Sequence, residues 1–250
     1  EKNRDMEAVK TEKLTKKYGD LVAVDGLDLT IHKGELFSLL GVNGAGKTTT
    51  IKMLSCLTRP DGGEAYVLSH SIHTELDEVK KLVNISPQDT SVASRLTVRE
   101  NLEFIAGIYG ADRKKQREKA DEMIQYFHLQ EVADRRAKVL SGGWQRKLSI
   151  AMALITEPQI IFLDEPTLGL DVLARRELWE VIRRMKEKIT IILTTHYMEE
   201  AESLSDKVAV MGGGRGKSTG RGGGFKEENG AGNLEGGICR LPPGNHRRLA

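Results

Sequence analysis

Eight residues, Gly41-Val42-Asn43-Gly44-Ala45-Gly46-Lys47-Thr48, stand between the apolar run Leu36-Phe37-Ser38-Leu39-Leu40 and a stretch with Ile51, Leu54 and Leu57 spaced for one helix face. A strand, a glycine-rich turn and a helix in that order is the setting in which G-x-x-x-x-G-K-T has chemical meaning. Glycines let the backbone curl until successive N–H groups point at one anion. The helix N-terminus adds partial positive charge. Lys47 can then reach the β- and γ-phosphates of a nucleotide, and the Thr48 hydroxyl can ligate Mg²⁺. The octet therefore demands an α/β arrangement in which a strand delivers a phosphate loop to a helix.

Ile160-Ile161-Phe162-Leu163 is short, apolar and rich in branched residues, as a buried parallel strand should be. It runs into Asp164-Glu165-Pro166. Acids at the carboxyl end of such a strand lie where open α/β sheets bind phosphates. Asp164 there can hold Mg²⁺ through water, and Glu165 can act as general base toward an attacking water. Leu140-Ser141-Gly142-Gly143-Trp144-Gln145-Arg146-Lys147 reads as a helix start, with Ser141 as N-cap and two glycines offering open amides. Leu148, Ile150, Ala151, Leu154 and Ile155 supply the apolar face of that helix.

With these residues placed, the chain resembles the ATP-binding subunits of ABC transporters from Ala8 to Met211. Gly41–Thr48 matches the Walker A motif, Ile160–Asp164 with Glu165 the Walker B motif and catalytic glutamate, and Leu140–Lys147 the signature motif. Gln88, in Ile85-Ser86-Pro87-Gln88, matches the Q-loop glutamine; Leu168-Gly169-Leu170-Asp171 the D-loop; His196 the switch histidine; Tyr18 the aromatic residue that stacks on adenine. The resemblance implies an α/β fold: a RecA-like P-loop NTPase core, an antiparallel β-subdomain and a helical insert. It implies Mg²⁺-dependent ATP hydrolysis with Glu165, His196 and Gln88 catalytic. Gly41, Asn43, Gly44, Ala45, Gly46, Lys47, Thr48 and Thr49 would bind the nucleotide with Tyr18, and Thr48, Gln88 and Asp164 the metal. Ser141, Gly142, Gly143 and Asp171 would also bind nucleotide, with Ser141 and Gly143 closing the site of a second ATPase subunit in a homodimer or heterodimer. The Met198-Glu199-Glu200-Ala201-Glu202 sequence after His196 is similar to the drug, lipid and ion exporter branch. Two other readings are a soluble ABC ATPase acting on ribosomes or DNA, and a non-hydrolysing regulatory module.

A net charge of +2 spread over 38 basic and 36 acidic residues makes no nucleic-acid footprint, so no nucleic-acid partner is expected. Two cysteines suit a reducing compartment. No apolar stretch reaches the ~20 residues that span a bilayer, and Glu1–Asp5 is no signal peptide. The expected location is the cytoplasm, peripheral on the inner face of the cell membrane, with an integral membrane transporter subunit as partner.

Residues 8–35 alternate apolar and polar positions, broken by Asp25-Gly26 and Lys33-Gly34, and read as antiparallel strands; Glu64 to Leu68 reads as another. Thr97-Val98-Arg99-Glu100 is a capping box opening a helix closed by Gly110, and a second helix runs from about Asp112 to His128. Residues 89–139 thus form the helical insert of an ATPase domain spanning residues 1–211. Trp144 departs from the glutamine that the family most often has in its signature; altered packing, not loss of the site, is expected. Residues 212–250 hold 13 glycines and no apolar periodicity, and read as a disordered or frame-disturbed tail. Within them Gly212–Thr219 mimics a phosphate loop one residue too short, and no role is assigned to it.

Overall fold

The computed structural model describes residues 6–221. The chain divides into two compact units, one comprising residues up to Val79 and from Thr194 onward, the other Lys80–Leu193.

The first unit opens with β1 (Glu7–Tyr18) and β2 (Leu21–His32), an antiparallel pair. β4 (Gly62–Val67) pairs with the other edge of β1, and β5 (His70–Ser71) with β4, giving the order β2-β1-β4-β5. Alternation buries Leu27, Leu29 and Ile31 and exposes Asp28 and Thr30, the period expected of a strand with one covered face. The register shifts between Lys16↔Val24 and Lys17↔Val22, so Ala23 is an extra residue on β2, a bulge. Gly63 (φ +75°) answers to a close approach: a Cβ there would lie 2.2 Å from the Lys13 carbonyl oxygen.

β3 (Leu36–Leu40) is buried at every position and leads through the glycine-rich loop into α1 (Lys47–Leu54). It pairs in parallel with β9 (Lys207–Gly212), as a strand buried on both faces should. α7 (Met198–Leu204) covers this ladder, packing Ala201 and Met198 against Leu40, Val208 and Val210. The Asp206 carboxylate accepts from the Leu36 N–H at 2.9 Å and fixes the start of β3.

β9 returns through Gly213 and Gly214 (φ +59° and +79°) into β10 (Arg215–Arg221), an antiparallel hairpin. Two consecutive left-handed glycines form the turn whose twist matches a two-residue hairpin. The Asp25 N–H donates to the Gly214 carbonyl at 2.8 Å, and Arg215 pairs with Asp25 at 2.7 Å. The ordered elements therefore run past residue 211, where sequence alone places the end of the domain. The imitation phosphate loop at Gly212–Thr219 is this hairpin. Residues 222–250, with Gly232–Glu235 and Cys239, lie outside the described residues.

In the second unit β6 (Val83–Ser86) pairs in parallel with β7 (Ile160–Asp164), and β8 (Thr190–Thr195) flanks β7. α2 (Leu76–Leu82) precedes β6. α5 (Gly142–Leu154) and α6 (Val172–Lys186) follow the two glycine-bearing loops. The Ser86 and Ser149 hydroxyls meet at 3.0 Å in the interior, tying α5 to β6. Between β6 and α5 lie α3 (Val98–Ile108) and α4 (Arg113–Tyr126), within the 89–139 interval assigned to a helical insert. Thr97 and Glu100 form the reciprocal capping box, and Asp112 caps α4. Buried Asn101 accepts from the Ala93 N–H and donates to the Thr97 carbonyl, closing the loop ahead of α3 on itself.

Candidate functional site

The phosphate loop belongs wholly to the first unit. Gly41 is wedged at the strand ends: its N–H donates to the Thr195 carbonyl at 3.2 Å, and a Cβ would stand 2.6 Å from the Met211 carbonyl oxygen. Gly46 caps α1 in the left-handed region (φ +97°), and a Cβ on it would meet the carbonyl oxygen of bulged Ala23 at 2.3 Å. The bulge and the glycine thus specify each other. The first turn of α1 carries no acid, so no side-chain carboxylate there opposes an anion at the positive end of the helix dipole. Lys47, 5% exposed, folds back over the loop and donates to the Gly41 carbonyl at 2.7 Å and the Val42 carbonyl at 3.2 Å. Thr48 and Thr49 start the helix, where the Thr50 hydroxyl donates to the Gly46 carbonyl at 2.9 Å. Asn43 and Gly44 are exposed at the loop's crest, and Ala45 is buried beneath it.

His196, just past the end of β8, lies in the first unit and packs on Tyr197, ring centroids 4.0 Å apart. The Gly41–Thr195 hydrogen bond places the backbone of its neighbour beside the loop. Tyr18 ends β1 with about half its surface exposed.

The second unit gathers the remaining residues. Asp164 ends β7 and Glu165 turns out of it; they are 3% and 5% exposed. Glu165 adopts φ +46°, a conformation that costs a side-chain-bearing residue roughly 1–2 kcal/mol. Strain of this kind concentrates where side-chain placement matters. Two residues on, the Thr167 hydroxyl is fully buried without a hydrogen-bond partner among the described residues.

Ser141 caps α5, accepting from the Trp144 N–H, and Gly142 and Gly143 form the first turn. Gly143 is needed for close approach: a Cβ there would stand 3.1 Å from the Ala174 Cβ of α6. Asp171 is committed to its own helix, accepting from the Leu173 and Ala174 N–H groups at 2.9 Å each. The Trp144 indole is half-buried, with the Lys147 ammonium 4.7 Å from its ring and Lys147 paired with Glu177 at 2.7 Å.

Arg146 lies within the signature motif, yet the motif gives it no role. It is buried on α5, and its guanidinium donates to the Pro87 carbonyl at 2.7 Å and to the Gln88 carbonyl. Burial lowers its pKa from the ordinary arginine value, and the carboxylates of Asp164 and Asp89 oppose that shift. The exposed Gln88 side chain therefore rides on a peptide gripped by the signature helix. The available signal was an arginine one turn inside a helix whose neighbours Leu148 and Ile150 are apolar.

Residues 24–168 match the family model described as "ABC transporter". The chain belongs to the ABC transporter family. Among its relatives, the daunorubicin/doxorubicin resistance ATP-binding protein DrrA of Streptomyces peucetius is 43% identical over 209 residues, 83% of this chain and 63% of DrrA. The Nod factor export ATP-binding protein I of Rhizobium sp. (strain N33) is 42% identical over 201 residues, 80% of this chain and 66% of that protein. The chain therefore spans just under two thirds of the length of these two relatives. The ATP-binding cassette MJ0796, solved as a dimer in a post-hydrolysis state with ADP and Pi, superposes with a TM-score of 0.77 at 27% identity, over 87% of this chain and 100% of that one. The fold is thus that of an ABC ATPase domain. The strand-and-loop arrangement around Gly41–Thr48 in one unit and the β7 acids with the capped α5 in the other are the local structures that this ABC sequence builds.

Proposed function

We propose that the chain is the ATP-binding and ATP-hydrolysing subunit of an ABC exporter, powering a separate membrane-spanning subunit through ATP-driven closure of a pair of ATPase subunits. The phosphate loop carries this reading: Gly46 left-handed against Ala23, Lys47 folded over the loop, and an acid-free first turn of α1. The loop amides and Lys47 hold the β- and γ-phosphates, and Tyr18 stacks on adenine. Glu165 takes a proton from the water whose oxygen attacks the γ-phosphorus as the bond to the β-phosphate breaks. His196 contacts the γ-phosphate, and Gln88 orients water.

Thr48, Gln88 and Asp164 offer hydroxyl, amide and carboxylate oxygens, the hard donors that Mg²⁺ takes together with phosphate and water. Among the described residues there is no cluster of three or more His, Cys, Asp or Glu side chains that could hold a metal. Bound there, Mg²⁺ neutralises charge on the phosphates.

The exporter assignment draws on the Nod factor export relative, and the paired state on the dimeric MJ0796 cassette. No helix of the described residues is long and apolar enough to cross a membrane. Ser141 and Gly143 would then close the nucleotide site of a second ATPase subunit. The test is phosphate release with Mg²⁺-ATP, alone and with the co-expressed membrane subunit, for the wild type and Glu165→Gln. Hydrolysis by the wild type that falls ~10²–10⁴-fold in the variant, with ATP still bound, is expected. Bound ATP with no turnover in either protein would leave a non-hydrolysing module.

A further inference from the structure

Tyr18 does not stand alone at the end of β1. Lys16, two residues earlier, projects from the same side of the strand, and its ammonium lies 5.3 Å from the Tyr18 ring centroid. That distance is within the range of a cation–π contact. The ammonium is anchored from a third direction by Asp61, 3.1 Å away, and the Lys16 side chain is only 13% exposed. Asp61 is itself fixed. It accepts from the Lys17 N–H at 2.7 Å, and its own N–H donates to the Thr15 carbonyl at 2.9 Å. Its carboxyl is held below the usual range, first by the Lys17 N–H and then by the Lys16 ammonium. Tyr18 nevertheless keeps 49% of its surface exposed.

An enclosed cation against a ring that remains half-open is an unusual use of a lysine, since a solvated ammonium costs free energy to enclose. The contact does two things to the ring. It restricts rotation of the phenol, so less freedom is lost when a base stacks on it. It also draws π-density toward the ammonium, which leaves the ring a better partner for an electron-rich purine.

We propose that Lys16, clamped by Asp61, is a positioning residue for the adenine base, acting through Tyr18 and not through the phosphates. This rests on the stacking role assigned to Tyr18. The effect is specific to the base end of the nucleotide: a ligand with phosphates and no base gains nothing from it. Arginine, planar and permanently charged, can replace lysine over a ring. Methionine keeps the length and packing and removes the charge.

The experiment is calorimetric titration of Mg²⁺-ATP and of Mg²⁺-tripolyphosphate into the wild type, Lys16→Met, Lys16→Arg, Tyr18→Leu and the Lys16→Met/Tyr18→Leu double variant, with a thermal melt of each. Lys16→Met should weaken ATP about two- to fivefold and leave tripolyphosphate unchanged. Lys16→Arg should restore ATP affinity. In the Tyr18→Leu background Lys16→Met should have no further effect. Equal losses for ATP and tripolyphosphate would overturn the proposal, because Lys16 would then act on phosphate or on the fold. A Lys16→Met loss that persists in the Tyr18→Leu background would overturn it too. Tyr18→Leu weakening ATP while Lys16→Met does not would remove the lysine's role and keep the stack. Tyr18→Leu with unchanged ATP affinity would remove the stacking reading and this proposal with it.

Discussion

At φ +46° Glu165 carries a local cost that glycine would not. Glu165→Gly should therefore melt no lower than the wild type, since release of roughly 1 kcal/mol of strain offsets the lost side chain. It should also lose hydrolysis as fully as Glu165→Gln does; melting curves beside phosphate release would check both. A large drop in melting temperature would mean that the carboxylate holds the fold. Arg146→Lys keeps a charge but loses the fork that serves the Pro87 and Gln88 carbonyls together. Hydrolysis should fall more than tenfold while ATP affinity, set in the other unit, changes less than twofold; steady-state kinetics with nucleotide titration would show the split. The residues proposed for the site were picked out from the sequence because glycine, lysine, aspartate and glutamate at fixed offsets carry their chemistry in their identity. Arg146 was not: its partners are carbonyl groups of residues about 60 positions away, and backbone acceptors leave no trace in sequence. Asp171 shows the opposite difficulty, since its carboxylate serves as a helix cap in this structure, a use that a motif alone does not announce.

Among the elements, the capped helices were the most readable. Thr97 and Glu100 state the start of α3 in four letters, and Thr97→Ala should cost about 1 kcal/mol, seen as a shifted denaturant midpoint. The hairpin β9–β10 was unreadable for a physical reason. Arg215–Arg221 has no apolar alternation, and its pairing rests on backbone hydrogen bonds to β9 and on the two left-handed glycines. A glycine-rich strand of that kind looks like linker until the turn before it is recognised. Gly214→Val tests the point. A side chain there has to accept φ +79° and come within 3.0 Å of the Ala23 carbonyl oxygen. The variant should melt several degrees lower, and a silent substitution would mean that the hairpin adds nothing to stability.

For the molecule as a whole, the division of labour follows the two units. The first holds the phosphate loop, Tyr18 and His196; the second holds Asp164, Glu165, Gln88 and the capped signature helix. The sequence pattern announced an α/β chain with an antiparallel part and a helical insert, because period-two and helical spacings differ. It did not announce the division, which depends on contacts between residues far apart in the chain. Acid stability should be shared by both units. Asp61 is held low by the Lys17 N–H and Lys16, Glu75 by His70 and the Ser71 N–H, and Glu157 by Lys119. Carboxyls depressed in the folded state contribute stability that is complete above their unfolded values and is lost as pH falls through the folded ones. Melting temperature should thus hold from neutral pH down to the ordinary carboxylate range and then decline. Replacing Asp61 by Asn should flatten part of that decline.

β9 lies between two ladders of opposite sense, parallel to β3 on one side and antiparallel to β10 on the other. A proton on one of its amides can reach solvent only if one of those ladders opens. β5, two residues at the rim of the other sheet, has a strand on one side only. Deuterium uptake should therefore be earlier at His70 than in β9, and should reach Val208–Val210 last in this unit. The segment just ahead of the glycine pair, and not the phosphate loop itself, would then report when the unit comes apart.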